Sequence, residues 1–195
     1  IKNQVAKAYR RIVFSKYGER IVNEAGLDCY YVPHAVETDV YKPVDRAAAR
    51  EHLKLPADKF IVGMVAANKG YPPRKAFFQY IEAFARFHKK HPDTLLYLHT
   101  QPGGQANIEV NLVEYCQSVG LATGDDVRFA HPYPLWVGYP EASMVDIYNS
   151  MDVHLLVSMG EGFGIPILEA QSCGTPVIVG DWTAMSELCF GGWKV

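Results

Sequence analysis

Two glutamates, Glu161 and Glu169, stand eight positions apart in the stretch Glu161-Gly-Phe-Gly-Ile-Pro-Ile-Leu-Glu169. A carboxylate is a strong acceptor for paired hydroxyl groups, so a pair of them on one cleft suits a polyhydroxylated ligand. The upstream run Asp152 to Val157 is short, apolar and partly β-branched, as expected of a strand buried on both faces of a parallel sheet. Gly162 and Gly164 free the backbone that follows, and Pro166 suits the first turn of a helix, where its missing N–H is no loss. A helix is expected over Ile165 to Cys173, ended by Gly174. Its N-terminus at the carboxyl end of a strand would offer free N–H groups to an anion such as phosphate. Glu161 then lies in the loop, and Glu169 about a turn inside the helix, where side chains lean back towards the N-terminus. Taken alone, this spacing is also met by a solvated loop charge and an ordinary helix residue.

A second cluster is basic. The loop Asn68-Lys69-Gly-Tyr-Pro-Pro-Arg74-Lys75 puts three cations at the first strand-to-helix junction, with Lys75 expected to begin the helix. Cations repel a helix N-terminus unless an anion sits between, and a pyrophosphate would be such an anion. A merely solvated basic loop is the alternative. The sequence lacks the glycine-rich signatures of P-loop and dinucleotide-binding proteins.

The histidines carry less. His131-Pro-Tyr133-Pro follows a strand and offers backbone groups and an aromatic face to a nucleobase, or is simply a rigid loop. His34 and His99 stand at strand ends as candidates for a cleft rim, while His88 and His91 read as helix-face and helix-end residues. No histidine pair has the spacing of a zinc site, so no protein-bound metal is expected. Ser158 lacks the elbow motif of serine hydrolases.

The elements that must position these residues are legible in outline. Strands are expected at Phe60 to Ala67, Thr94 to His99, Val127 to Ala130, Asp152 to Val157 and Thr175 to Val179. Helices alternate with them at Arg74 to Lys90, about Ile108 to Ser118 with Gly120 as its stop, and Glu141 to Ser150. The first carries Phe77, Tyr80, Ile81, Phe84 and His88 on one face. The alternation predicts an α/β fold, a Rossmann-like parallel sheet with flanking helices. Residues 1 to 59 differ in texture, with strand pieces at Arg11 to Ser15 and Tyr30 to Pro33, a helix over Lys16 to Ala25 closed by Gly26, and a charged segment with a short helix over Asp45 to Leu53.

With 195 residues, 49% of them hydrophobic, the chain can bury a sizeable core. It opens on Ile1 and closes on a strand-like Gly191-Gly-Trp-Lys-Val195, so a fragment cut at both ends is expected. Nineteen basic and 21 acidic residues give a formal charge of −2, which argues against nucleic acid or an anionic membrane as partner. Cys29, Cys116, Cys173 and Cys189 are widely spaced, pointing to reduced thiols and a cytoplasmic location. No apolar run reaches the roughly 18 residues of a membrane span, and no signal peptide is visible.

Three segments together resemble the C-terminal, donor-binding domain of the GT-B glycosyltransferases of family 4, a retaining group. Glu161-Gly-Phe-Gly-Ile-Pro-Ile-Leu-Glu169-Ala with Cys173-Gly-Thr-Pro-Val is similar to the family's E-x7-E motif and its surroundings. Lys69 and the Arg74-Lys75 pair are similar to the basic residues after its first strand. Ser15-Lys-Tyr-Gly and Val32-Pro-His34-Ala-Val-Glu-Thr-Asp39 resemble its passage between domains. Two departures are visible: the loop reads Ala67-Asn68-Lys69 where many members have arginine at the last position, and His34-Ala35 replaces a frequent His-Gly.

The resemblance implies a glycosyltransferase taking a sugar from a UDP-, GDP- or ADP-sugar to a sugar, lipid or protein acceptor, without a cofactor. Glu169 would bind the donor ribose and Glu161 the transferred sugar. The backbone of Phe163, Gly164 and Ile165 would face sugar hydroxyls and phosphate, and Lys69, Arg74 and Lys75 would neutralise the diphosphate. Residues 1–35 would end an acceptor domain, 36–59 connect, and 60–195 form the donor domain. Any peripheral membrane contact would come from the missing part. A non-catalytic nucleotide-sugar binder and a GT-B-like sugar epimerase are the rival readings.

Overall fold

The computed structural model describes residues 2–70, 73–103 and 110–195, with the side chains of residues 2, 4, 132, 133 and 136 excepted. The elements run α1 (Lys2–Ala6), β1 (Ile12–Val13), α2 (Lys16–Glu24), β2 (Tyr30–Tyr31), α3 (Arg46–His52), β3 (Phe60–Val65), α4 (Phe77–His88), β4 (Thr94–His99) and α5 (Leu112–Ser118). They continue as β5 (Val127–Phe129), α6 (Pro132–Val137), α7 (Glu141–Ser150), β6 (Val153–Leu156), α8 (Ile165–Ser172), β7 (Val177–Val179), a 3₁₀ helix (Thr183–Leu188) and β8 (Gly192–Lys194).

β3 to β8 form one six-stranded sheet in the order β5-β4-β3-β6-β7-β8, every neighbouring pair parallel. β1 and β2 pair separately, also in parallel. The strand order reverses between β3 and β6, so the loops after those two strands leave the sheet in opposite directions and open a crevice at its carboxyl edge. In open α/β sheets such a switch point is where ligands bind.

Apolar periodicity explains the packing. Phe77, Tyr80, Ile81 and Phe84 of α4 are buried against Val62, Met64, Leu96 and Leu98 of the central strands. Each such large side chain contributes about 1.5–3 kcal/mol through burial. β4 is buried along its whole length, as its run of Leu95, Leu96, Tyr97 and Leu98 requires. A second cluster joins α7 and α8 to β6 and β7 through Tyr148, Leu156, Phe163, Ile167 and Val177. Gly120 and Gly174, at φ +83° and +78°, follow the helices they were expected to stop.

Three expectations need correction. The helix after β3 begins at Phe77 rather than Arg74: Ala76 adopts φ +57° at its N-cap, so Arg74 and Lys75 belong to the loop. The helix expected from about Ile108 begins at Leu112, where the Asn111 side chain accepts from Glu114 N; residues 108 and 109 lie outside the described residues. The His131-Pro-Tyr133-Pro stretch is no rigid loop, because Pro132–Val137 is helical and proline is at home in a first helical turn. No helix among the described residues is long and apolar enough to cross a membrane.

Candidate functional site

β3 and β6 bring the basic loop and the glutamate loop together. The Met159 amide donates to the Arg74 carbonyl at 2.9 Å, and the Val157 amide donates to the hydroxyl of buried Tyr80 on α4. Across this junction Lys75 Nζ meets Glu161 Oε1 at 2.5 Å, and Arg74 Nη1 meets Glu161 Oε2 at 3.1 Å. The Arg74 guanidinium also donates to the Gly160 carbonyl. The two side chains of the first pair are 18% and 9% exposed, so this contact is shielded from solvent screening; Arg74 is half exposed.

Burial would raise the Glu161 pKa, but hydrogen bonding and charge from Lys75, with help from Ser158 and Arg74, leave it below its ordinary value. The Ser158 side chain is fully buried beside it. An unfolded-state glutamate near 4.5 would thus take up protons before the folded one, so this carboxylate stabilises the fold above that pH and loses its contribution as pH falls through 4.5 and the lower folded value. Denaturant unfolding of wild type and Glu161→Gln, compared over about pH 3 to 7, should show the wild type's advantage shrinking in that acid window. A gap independent of pH would dismiss the ion pair as a stabilising contact.

Glu169 sits on α8, and Tyr148 of α7 donates to its Oε2 at 2.5 Å. The tyrosine is fully buried; burial, and then the charge of Glu169, push its hydroxyl pKa well above the ordinary range. Tyr41 stands edge-on to Tyr148 at 6.1 Å, its own pKa pushed up to about 12 by burial and Glu169. Glu169 is thereby held in place by a donor that does not ionise.

A cleft of about 720 Å³ opens at this carboxyl edge. Its walls include Lys69, Arg74 and Lys75 from the loop after β3, His99, Thr100 and Gln101 from the end of β4, Leu135 of α6, Met144 of α7 and Pro166 of α8. The two glutamates are not among its lining residues. Glu161 stands behind Lys75, while Glu169 and Tyr148 lie one helical turn beyond Pro166 and Met144. Three cations against one carboxylate leave two positive charges on this wall. Gly164 begins α8 at φ +112°, a left-handed conformation that a Cβ would strain, and no side chain caps the helix. The cleft therefore meets an uncapped helix N-terminus at Pro166. A second hollow, of about 560 Å³, lies on one face of the sheet beside Trp193 and Val195. Its lining is almost wholly apolar, and its Tyr80 hydroxyl is already taken by Val157, so it has little with which to hold a charged ligand.

The remaining candidates fall as follows. Phe163 is buried, its ring edge-on to His34 at 5.2 Å, so only its backbone is available to a ligand. His34 in turn stacks on Phe14 at 4.1 Å, linking the first residues of the chain to the glutamate motif. Ile165 is exposed at the start of α8. His131 is exposed, and its carbonyl accepts from the Tyr139 hydroxyl at 3.2 Å; Tyr133 lies in α6, its side chain outside the described residues. His99 lines the cleft, and burial lowers its pKa to about 4, so it is neutral there.

Asn68 is a residue that motif reading passed over. Buried in the basic loop, it donates through Nδ2 to the carbonyls of Val110 at 2.7 Å and Gln101 at 3.2 Å, and accepts from Val110 N at 3.2 Å. Its own amide donates to Thr100 Oγ1 at 2.9 Å. The side chain thus bonds the loop after β4 as a peptide group would, and fixes the base of Lys69. An asparagine among charged and turn residues carries no sequence signal of burial.

The profile of the family described as "Glycosyl transferases group 1" matches residues 59–193. D-inositol 3-phosphate glycosyltransferase of Acidothermus cellulolyticus is 33% identical over 151 residues, which are 75% of this chain and 32% of that protein. The chain thus spans about a third of the length of the curated relatives it matches. Among solved structures, sucrose-phosphate synthase from Thermosynechococcus elongatus superposes with a TM-score of 0.78 at 25% identity, covering 100% of this chain and 47% of that one. Anabaena HepE in complex with UDP and glucose superposes with a TM-score of 0.75 at 22% identity, covering 98% and 50%. The parallel sheet and its helices are those of the Rossmann-like C-terminal half of a GT-B fold. With the family's profile running through both the basic loop and the glutamate motif, the chain belongs to the glycosyl transferases group 1.

Proposed function

We propose that this chain is the donor-binding part of a transferase that moves a sugar from a nucleotide diphosphate to an acceptor, with retention at the anomeric carbon. Residues 60–195 form the donor unit, residues 1–35 end an acceptor domain and 36–59 connect them. The observation that carries this reading is the cleft at the strand-order reversal, which carries Lys69, Arg74 and Lys75 beside the uncapped start of α8. Two surplus positive charges suit the two negative charges of a diphosphate. The structure of HepE with UDP and glucose supports such a ligand on this fold. The four unpaired cysteines fit a cytoplasmic enzyme.

In the reaction the bond from the anomeric carbon to the β-phosphate oxygen breaks while the acceptor oxygen bonds that carbon on the same face. The acceptor proton passes to the departing phosphate oxygen. Lys75, with Lys69 and Arg74, stabilises the negative charge that grows on the phosphate. Glu161 keeps Lys75 in place through the reaction, and the remaining lone pairs of its carboxylate accept from a hydroxyl of the transferred sugar.

Calorimetry with UDP-, GDP- and ADP-sugars tests the reading; a folded chain that binds none of them contradicts it. Glu169→Ala should weaken nucleotide binding by roughly 1–3 kcal/mol through loss of charge-assisted hydrogen bonds. Unchanged affinity would remove Glu169 from the ribose site.

A further inference from the structure

We infer that the 3₁₀ helix Thr183–Leu188 is a strut that ties the position of α2 to the Glu161 loop, with Thr183 and Glu187 as positioning residues. At its leading end the Glu161 amide donates to Thr183 Oγ1 at 3.3 Å, and Trp182 Nε1 donates to the Ser158 carbonyl at 2.9 Å. Two hydrogen bonds therefore fix the glutamate loop to residues 182 and 183.

At the other end the Glu187 carboxylate accepts from the first-turn amides of α2, Lys16 N at 2.9 Å and Tyr17 N at 3.3 Å. A negative charge there is favoured by the helix dipole, and buried Ser15 caps the same turn through Gly18 N. The strut cannot slide between these attachments. Ala184, Met185 and Leu188 are buried, and Gln171 of α8 donates to the Leu188 carbonyl at 2.8 Å. Gln171 also accepts from Phe190 N and Gly191 N at 2.8 and 2.7 Å.

Thr183 itself is at φ +55°, a left-handed conformation that is rare for a β-branched residue. Such strain persists only where the surroundings over-determine it, and here it aims the hydroxyl at the Glu161 amide. A shift of α2, which precedes the donor unit, therefore reaches the carboxylate that stands behind Lys75 and holds it in the cleft wall.

Hydrogen exchange on the 195-residue chain tests the strut without any ligand. Glu187→Ala is expected to speed exchange of amides 159–163 about five- to tenfold, as well as those of Lys16 and Tyr17. Thr183→Val should do the same at 159–163, Thr183→Ser should restore protection, and the double variant should lose no more than Thr183→Val alone. Acceleration confined to Lys16 and Tyr17 would overturn the inference. If Glu187→Ala unfolds α2, Glu187→Gln keeps one oxygen for the Lys16 amide and gives the same readout more weakly. The effect on ligand rests on the function proposed above: UDP-sugar affinity should fall about threefold in Glu187→Ala. A wild-type chain that binds no nucleotide sugar would sink that function and leave the exchange result to decide the strut.

Discussion

On the donor chemistry proposed above, in which Lys75 faces the departing phosphate, Lys75→Ala is expected to slow sugar transfer by about 10²–10³-fold, the range seen when one preorganised group facing developing charge is removed. Of the three cations on the cleft wall, Lys75 is the most enclosed, 18% exposed against 54% for Arg74, so its charge is the least screened by water. It is also preorganised: the Met159–Arg74 main-chain bond and the Glu161 carboxylate fix it before any ligand arrives. The same exposure argument ranks the three replacements, Lys75→Ala costing the most. The loss should fall mainly on kcat, because charge on the phosphate oxygen is greatest as the sugar departs. Steady-state kinetics of the intact transferase, beside calorimetry of donor binding, checks this. A variant that loses affinity and keeps its kcat would make Lys75 a binding group only.

How much of this was legible in the sequence depends on the range of the interaction concerned. β4 and α7 begin and end as expected, because local residue types decide both: β4 is a continuous apolar run, and α7 starts directly after Pro140. α4 starts three residues later than its sequence suggests because Ala76 turns through a left-handed conformation, something the sequence around an alanine does not announce. Pro132 and Pro134 suit a loop as well as a helix start, and they occupy the opening turn of α6, where a proline costs no hydrogen bond. The 3₁₀ helix Thr183–Leu188 has no period that a six-residue window could reveal. In the site, residue types place the glutamate motif and the basic loop at the carboxyl edge, because the strand-to-helix rhythm brings loops there. They did not show that Lys75 and Arg74 share Glu161, or that Tyr148 holds Glu169. Lys75 and Glu161 are 86 positions apart, and Tyr148 and Glu169 are 21 apart; such pairs follow from the order of strands, which local pattern does not encode.

The strand order itself is held by a buried charge, and Asp152→Ala is expected to destabilise the fold by about 3–5 kcal/mol. Arg50, on α3, is 6% exposed and spends its guanidinium on the carbonyls of Ser150, Ala57 and Lys59 and on Asp152 Oδ2 at 2.7 Å. The same carboxylate oxygen accepts from Ile61 N at 2.7 Å, while Asp152 N donates to the Ile61 carbonyl at 2.9 Å. Asp152 thus closes β3 against β6 at the amino edge, opposite the cleft that their divergence opens. Removing it leaves a buried cation without its counter-charge and a strand amide without an acceptor, a loss that is a large share of the roughly 5–15 kcal/mol typical of a domain. Arg50→Met should cost less, because Asp152 keeps Arg46 at 2.6 Å and Ile61 N, and no orphaned charge remains. Arg46→Ala, with its side chain 48% exposed, should cost under about 1 kcal/mol. Urea unfolding at unchanged slope would rank the three, and an Asp152→Ala midpoint no lower than that of Arg46→Ala would show that β3 and β6 are joined without this charge.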